Sequence, residues 1–188
     1  MRMIRALTTE DRVLLDQMAG AVLQREGKLE EAGSHYRAVL VELTGAGREA
    51  SADGVAIRGQ LASLYLQDHR YADARKTADD ALTSLNAVTS VPPLYRMKVL
   101  NVRAIAWTRM GRWREAESDL AEAVSLGRSQ TRLDNAELLP VVSNYASVLR
   151  KLRRKKARSV ERWAASLRSG NIASSLIVDI SELPPHWR

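Results

Sequence analysis

Segments of this chain recur at a spacing of 42 residues, and that periodicity restricts the fold more than any single motif does. Gln24 to Ala32 aligns with Thr108 to Ala116 at an offset of 84, and Leu66 to Ala74 sits halfway between. Positions 42 apart are chemically uniform. Gly20, Ala62, Ala104 and Ala146 are all small, whereas Leu23, Tyr65, Trp107 and Leu149 are all large and apolar. Val13, Val55, Met97 and Leu139 form a second apolar row, and Val39, Ala81, Ala123 and Ala165 a compact one. A turn row reads Gly27, His69, Gly111 and Arg153, followed by Leu29, Tyr71, Trp113 and Lys155. A further small row holds at Ala32, Ala74 and Ala116 and fails at Arg158.

Each unit reads as two helices. In the third, Leu94, Met97, Leu100, Ala104 and Trp107 recur at helical spacing after the break at Pro92 and Pro93. Gly111 suits the left-handed residue that ends a helix. Trp113, Ala116, Leu120, Ala123 and Val124 then form one face of a second helix. Small rows allow two helices to approach to about 8–10 Å, and large rows fill the space beside those contacts. The helices are expected at about 9–26 and 29–44, 54–68 and 71–86, 94–110 and 113–126, and 135–152 and 155–168. The loops 45–53 and 87–93 are rich in Gly, Ser, Thr and Pro.

These residues resemble the tetratricopeptide repeat. Its signature is a small residue, a large one three on, then Gly, an aromatic two later, and Ala three after that. Ala104, Trp107, Gly111, Trp113 and Ala116 carry all five parts; Gly20, Leu23, Gly27, Leu29 and Ala32 carry it with aliphatics for aromatics. A 42-residue spacing resembles the kinesin-light-chain type of repeat, widespread in bacterial proteins, and Asn144-Tyr145-Ala146 is similar to its Asn-Leu-Ala stretch. The resemblance spans roughly residues 10 to 168. Unit four departs from it: Arg153 replaces Gly, and the small Ala is either displaced by Arg158 or, with one residue deleted, is Ala157. The implied fold is all-α, a right-handed α-solenoid of four antiparallel helix pairs over residues 1–168, units at about 9–44, 54–86, 94–126 and 135–168, with an extended apolar tail over 169–188. Such arrays often accompany other domains, so the chain could belong to a longer protein.

The residues for catalysis are missing from this pattern. Cysteine is absent, and His35, His69 and His186 have no metal-ligand spacing among themselves or with carboxylates. Gly45-Ala46-Gly47 lacks the preceding strand and following Lys of a phosphate loop. The expectation is therefore a non-enzyme without cofactor or metal. No segment reaches the roughly 18 consecutive apolar residues of a membrane helix, and no signal peptide is evident, so a cytoplasmic protein is expected.

Function then falls to surfaces. The resemblance implies that the first helix of each pair lines a concave groove that binds a peptide or protein segment. Polar positions on those helices are Gln17, Gln24, Gln60, Gln67, Asn101, Thr108, Ser143, Asn144, Ser147 and Arg150, with Arg109 beside them. Amides suit such a groove because each donates to and accepts from an extended backbone. Arg109, Arg150 and Lys151 would meet an acidic ligand, if they do not simply face solvent.

The net charge is +7, yet nine basic residues and one acid between Arg150 and Arg168 leave the rest of the chain at −1. The densest run, Lys151, Arg153, Arg154, Lys155, Lys156 and Arg158, straddles the last turn. Its alternatives are a solvated turn or contact with phosphate or an acidic partner, that is, a nucleic-acid or regulatory role. No aromatics interleave with it in sequence, which argues against a single-strand stacking platform. Trp107 and Trp113 are expected in the core, Trp163 at the open end, and Trp187 has no repeat role. Leu176 to Ile180 is expected to fold back, extended, over the apolar end of unit four; the alternatives are a disordered tail or an edge strand paired with a second chain, which would make a homo-oligomer through the C-terminal end.

Overall fold

A computed structural model describes residues 8–88, 91–130 and 134–169. The expected tail conformation and Trp187 lie outside them. Among the described residues there are eight helices and no strand: α1 (Thr9–Arg25), α2 (Leu29–Gly45), α3 (Ala52–Gln67), α4 (Tyr71–Ala87), α5 (Pro93–Arg109), α6 (Trp113–Arg128), α7 (Asn135–Lys151) and α8 (Ala157–Ser169). They fall into two compact units, Met1–Tyr95 and Arg96–Arg188.

The turn inside each pair has one construction. Gly27, His69, Gly111 and Arg153 have φ of 78°, 58°, 77° and 54°. After α1, the Lys28 amide donates to the Leu23 carbonyl (2.9 Å) and the Gly27 amide to Gln24 (3.2 Å). The same two bonds recur from Arg70 and His69, Arg112 and Gly111, and Arg154 and Arg153. This is the Schellman ending, in which a left-handed residue lets the chain satisfy carbonyls of the last helical turn. The residue after it lies against the large-apolar row: Arg70 sits 4.5 Å from the Tyr65 ring centre and Arg112 5.1 Å from that of Trp107. Trp107 is therefore half-buried beneath a guanidinium and not, as expected from its row, enclosed in the core.

A left-handed backbone costs a residue with a Cβ about 1–2 kcal/mol, against glycine's greater loss of freedom on folding. His69→Gly is thus expected to raise stability by about 0.5–1 kcal/mol, read as a higher urea midpoint at unchanged slope. An unchanged or lower midpoint would mean that the His69–Tyr71 hydrogen bond (2.9 Å) outweighs the strain.

In the first unit, Tyr36, Val39, Leu43, Ile57, Leu61 and Leu64 form the core around Ala32. The small row has a local reason here. A Cβ on Gly20 would lie 2.7 Å from Cε1 of Tyr36, a ring only 1% exposed. The Tyr36 hydroxyl donates to Oε1 of Gln24 (2.9 Å), and burial pushes that phenol above its ordinary pKa. Arg12 bonds Glu42 and His35 bonds Asp16, pinning α1 to α2. α3 begins at Ala52, with the Ser51 hydroxyl accepting from the Gly54 amide. The preceding loop crosses so closely that a Cβ on Gly54 would sit 2.1 Å from the Glu49 carbonyl oxygen.

In the second unit, α7 and α8 bury Val141, Val142, Val148, Leu149, Trp163, Ala164 and Leu167. One open alternative is decided and two expectations are corrected here. Ala157 is 8% exposed while Arg158 is exposed, so the small row continues at Ala157 with one residue deleted. For the same reason Ala164, not Ala165, is the buried member of its row. Trp163 is 6% exposed, with the Arg128 guanidinium 4.5 Å from its ring centre, so it does not form an open apolar end. Burial pushes the Arg128 pKa below its ordinary value.

Candidate functional site

Helical spacing places Ile105, Thr108 and Arg109 on one stretch of α5 and Asn144, Ser147 and Val148 on one stretch of α7. Trp113 and Leu120 of α6 lie between them. These residues surround a cavity of about 360 Å³. A second cavity of about 550 Å³ shares Thr108, Trp113 and Ser147 and continues to Arg150, Lys151 and Arg153. The two share three residues and make one depression, one half carrying Ile105, Leu120, Val148 and Arg109 and the other Arg150, Lys151 and Arg153.

Trp113 joins the halves. It is half-buried and not the enclosed core residue its repeat row suggests, and the Lys151 ammonium stands 5.4 Å from its ring centre. Trp113 thus belongs to the site, although the sequence reading left it out. Its signal was the first position after a tight turn, where one ring edge stays at the surface.

The amides and hydroxyls are largely engaged within the chain. Asn144 donates to Asn101 across α5 and α7 (2.9 Å). Thr108 donates to the Ala104 carbonyl (2.9 Å) and Ser147 to that of Ser143 (3.0 Å). A hydroxyl bonded to its own helix still offers lone pairs to a ligand. Arg109 and Arg150 are exposed, Arg150 approaching Glu161 at 3.6 Å.

The remaining candidates divide. Gln17, Gln24, Gln60 and Gln67 belong to the first unit, and none of them lines this depression. The Gln24 amide oxygen accepts from Tyr36, and the Gln60 amide oxygen is buried with no hydrogen-bond partner among the described residues. Gln67 is exposed at the last turn of α3.

The side chains of the basic run go to different partners. Arg154 pairs with Glu117 through two nitrogens (3.1 and 2.8 Å), which holds its pKa above the ordinary value. The Lys156 ammonium donates to the Tyr145 hydroxyl and lies 5.0 Å from that ring centre. Lys151 and Arg153 turn to the cavity, leaving Lys155 and Arg158 exposed elsewhere. Aromatics absent from the run itself are thus supplied by α6 and α7, each already covered by a lysine.

Among the described residues no three His, Cys, Asp or Glu side chains converge as a metal site. No helix among them is long and apolar enough to cross a membrane.

No protein-family model and no curated protein matches the chain. Solved structures do. BtubC (BKLC) from P. vanneervenii superposes with a TM-score of 0.78 at 17% identity, over 89% of this chain and 67% of that one. A kinesin light chain from Podosopora anserina, with nearly identical TPR-like repeats, superposes at 0.65 and 16% identity, over 89% and 80%. The fold is therefore an all-α solenoid of tetratricopeptide-like helix pairs, similar to those of kinesin light chains.

Proposed function

We propose that this tetratricopeptide-like chain is a non-catalytic scaffold that holds an extended, acidic peptide segment in the depression between α5 and α7. The observation carrying this reading is the joint cavity: Ile105, Trp113 and Val148 supply apolar contact, and Arg109, Arg150, Lys151 and Arg153 supply the cations of its lining. An extended peptide presents side chains to both halves, while the Asn144 amide and the Thr108 and Ser147 hydroxyls meet its backbone. Carboxylates fit guanidinium forks, and the field of several cations speeds encounter.

A nucleic-acid ligand is supported less well. Arg154 of the basic run is already paired with a carboxylate, that of Glu117, so one fewer cation remains to neutralise phosphates.

The test is a fluorescence-anisotropy titration with labelled acidic, neutral and basic peptides of equal length and a labelled single-stranded oligonucleotide. The acidic peptide should bind best, and Arg109→Glu/Arg150→Glu should weaken it by about tenfold or more, the equivalent of one lost charge-assisted contact. Equal binding of all three peptides, or tightest binding of the oligonucleotide with indifference to the double reversal, would refute the assignment.

A further inference from the structure

α1 exposes an apolar face that the equivalent helices do not. Leu14, Leu15, Met18 and Val22 are 57%, 53%, 59% and 44% exposed. One repeat on, the counterparts of Leu15 and Val22 are Ile57 and Leu64 of α3, only 0% and 2% exposed. In α7 they are Val141 and Val148, at 2% and 1%. In this fold those two rows are the ones a first helix covers with a neighbouring helix. A face of this kind left open on a helix is an interaction surface.

The other two rows say what kind of partner fits. At the positions of Leu14 and Met18, α3 carries Ala56 and Gln60, α5 carries Lys98 and Val102, and α7 carries Pro140 and Asn144. None of these pairs is large and apolar at both positions, whereas α1 carries a leucine and a methionine. With Val22 they form a stripe at spacings of four, bounded one turn out on the same side by Asp11 and Arg25. Both charged residues are exposed.

We propose that this stripe is a self-association surface, on which α1 of a second copy packs antiparallel about a two-fold axis at Met18. That axis sets Leu14 against Val22 of the second copy and Met18 against its own counterpart. It also brings Asp11 to Arg25 of the second copy, twice, as an isologous interface requires. A parallel arrangement would oppose like charges. Asp11 also caps α1, its Oδ2 accepting from the Thr8 amide (2.9 Å) and hydroxyl (2.7 Å), so the acidic end is held in place. A helix of 17 residues is about 25 Å long, and one such pair buries less than the roughly 800 Å² per partner of a standard interface. The dimer is accordingly weak and reversible. It is distinct from peptide binding in the second unit, because no residue is shared.

Sedimentation velocity of the full chain, from about 1 µM to about 0.5 mM to cover the weak regime, is the test. The wild type should pass from monomer to dimer over that range. Met18→Glu, which places two carboxylates at the axis, should remain monomeric with unchanged helicity and melting. Asp11→Arg and Arg25→Glu should each be monomeric alone and dimerise when mixed, since mixing restores both opposite-charge contacts. A wild type monomeric throughout would overturn the proposal. So would a dimer that Met18→Glu leaves intact, or one that disappears only when residues 170–188 are removed, which would assign the contact to the tail.

Discussion

Asp119→Ala should cost about 2–3 kcal/mol of stability, the largest loss expected from any single polar residue of the second unit. The Asp119 side chain is 8% exposed and receives both faces of the Arg103 fork, Nε at 2.8 Å and Nη2 at 2.6 Å. Removing the carboxylate takes both of these bonds from a guanidinium that is only 23% exposed. Fully buried pairs lose about 3–5 kcal/mol on such truncation, and the residual access of Arg103 to water lowers that figure. The positions one repeat earlier show how the same space is filled without charge: they are Leu61 and Thr77. Arg103→Leu/Asp119→Thr should therefore recover most of the loss, because replacing both partners leaves no unpaired ion. Urea unfolding of the three proteins checks this. A double variant as weak as Asp119→Ala would show that the pair is not the source of the effect.

Ala116→Leu is the second large change. Ala116 and its counterpart Ala74 are both 0% exposed, in the first turn of α6 and α4. Added methylenes at a full contact force neighbouring side chains or backbone aside, at about 1–3 kcal/mol. Ala74→Leu should behave alike. Ala165→Leu, at an exposed position, should stay within about 0.5 kcal/mol. In unit four the same comparison reads the deletion: Ala157→Leu should be costly and Arg158→Leu tolerated. Thermal melts that failed to separate Ala116→Leu from the parent, or Ala157→Leu from Arg158→Leu, would contradict the repeat register.

These two cases mark what was legible from residues alone. The Ala116 row is uniform over three units, so spacing exposed it, and with it all eight helices and the left-handed turn at Gly111; that His69 and Arg153 adopt the same conformation came from the structure. Arg103 and Asp119 lie in rows of mixed chemistry: Ala19, Leu61, Arg103 and Tyr145 for the first, His35, Thr77, Asp119 and Val160 for the second once the deletion is allowed. A contact made once, between helices, leaves no periodic trace. The start of α3 was readable from Ser51, a capping residue that the apolar stripe overshadowed. α8 starts at Ala157, two residues later than expected, because Lys155 and Lys156 form the turn.

The candidate site was legible in part. Thr108, Arg109, Asn144, Ser147 and Arg150 follow from placing polar residues on first helices, and they do line one depression. Trp113 was assigned to the core because row identity reports residue size and not which edge of a ring meets solvent. The glutamines of the first unit share the pattern but not the cavity. The charge run misled in the opposite way: adjacency in sequence suggested one patch, whereas helix geometry sends Arg154 to Glu117, Lys156 to Tyr145 and Lys151 to Trp113.

A backbone and indole ¹⁵N–¹H titration of the chain with an acidic peptide tests the placement of the ligand most directly. Shifts should concentrate at Thr108, Arg109, the Trp113 indole, Asn144 and Ser147, and reach Arg150 and Lys151, while α1 and α2 stay still. Shifts confined to Lys155 and Arg158, or spread evenly over both units, would contradict peptide binding between α5 and α7.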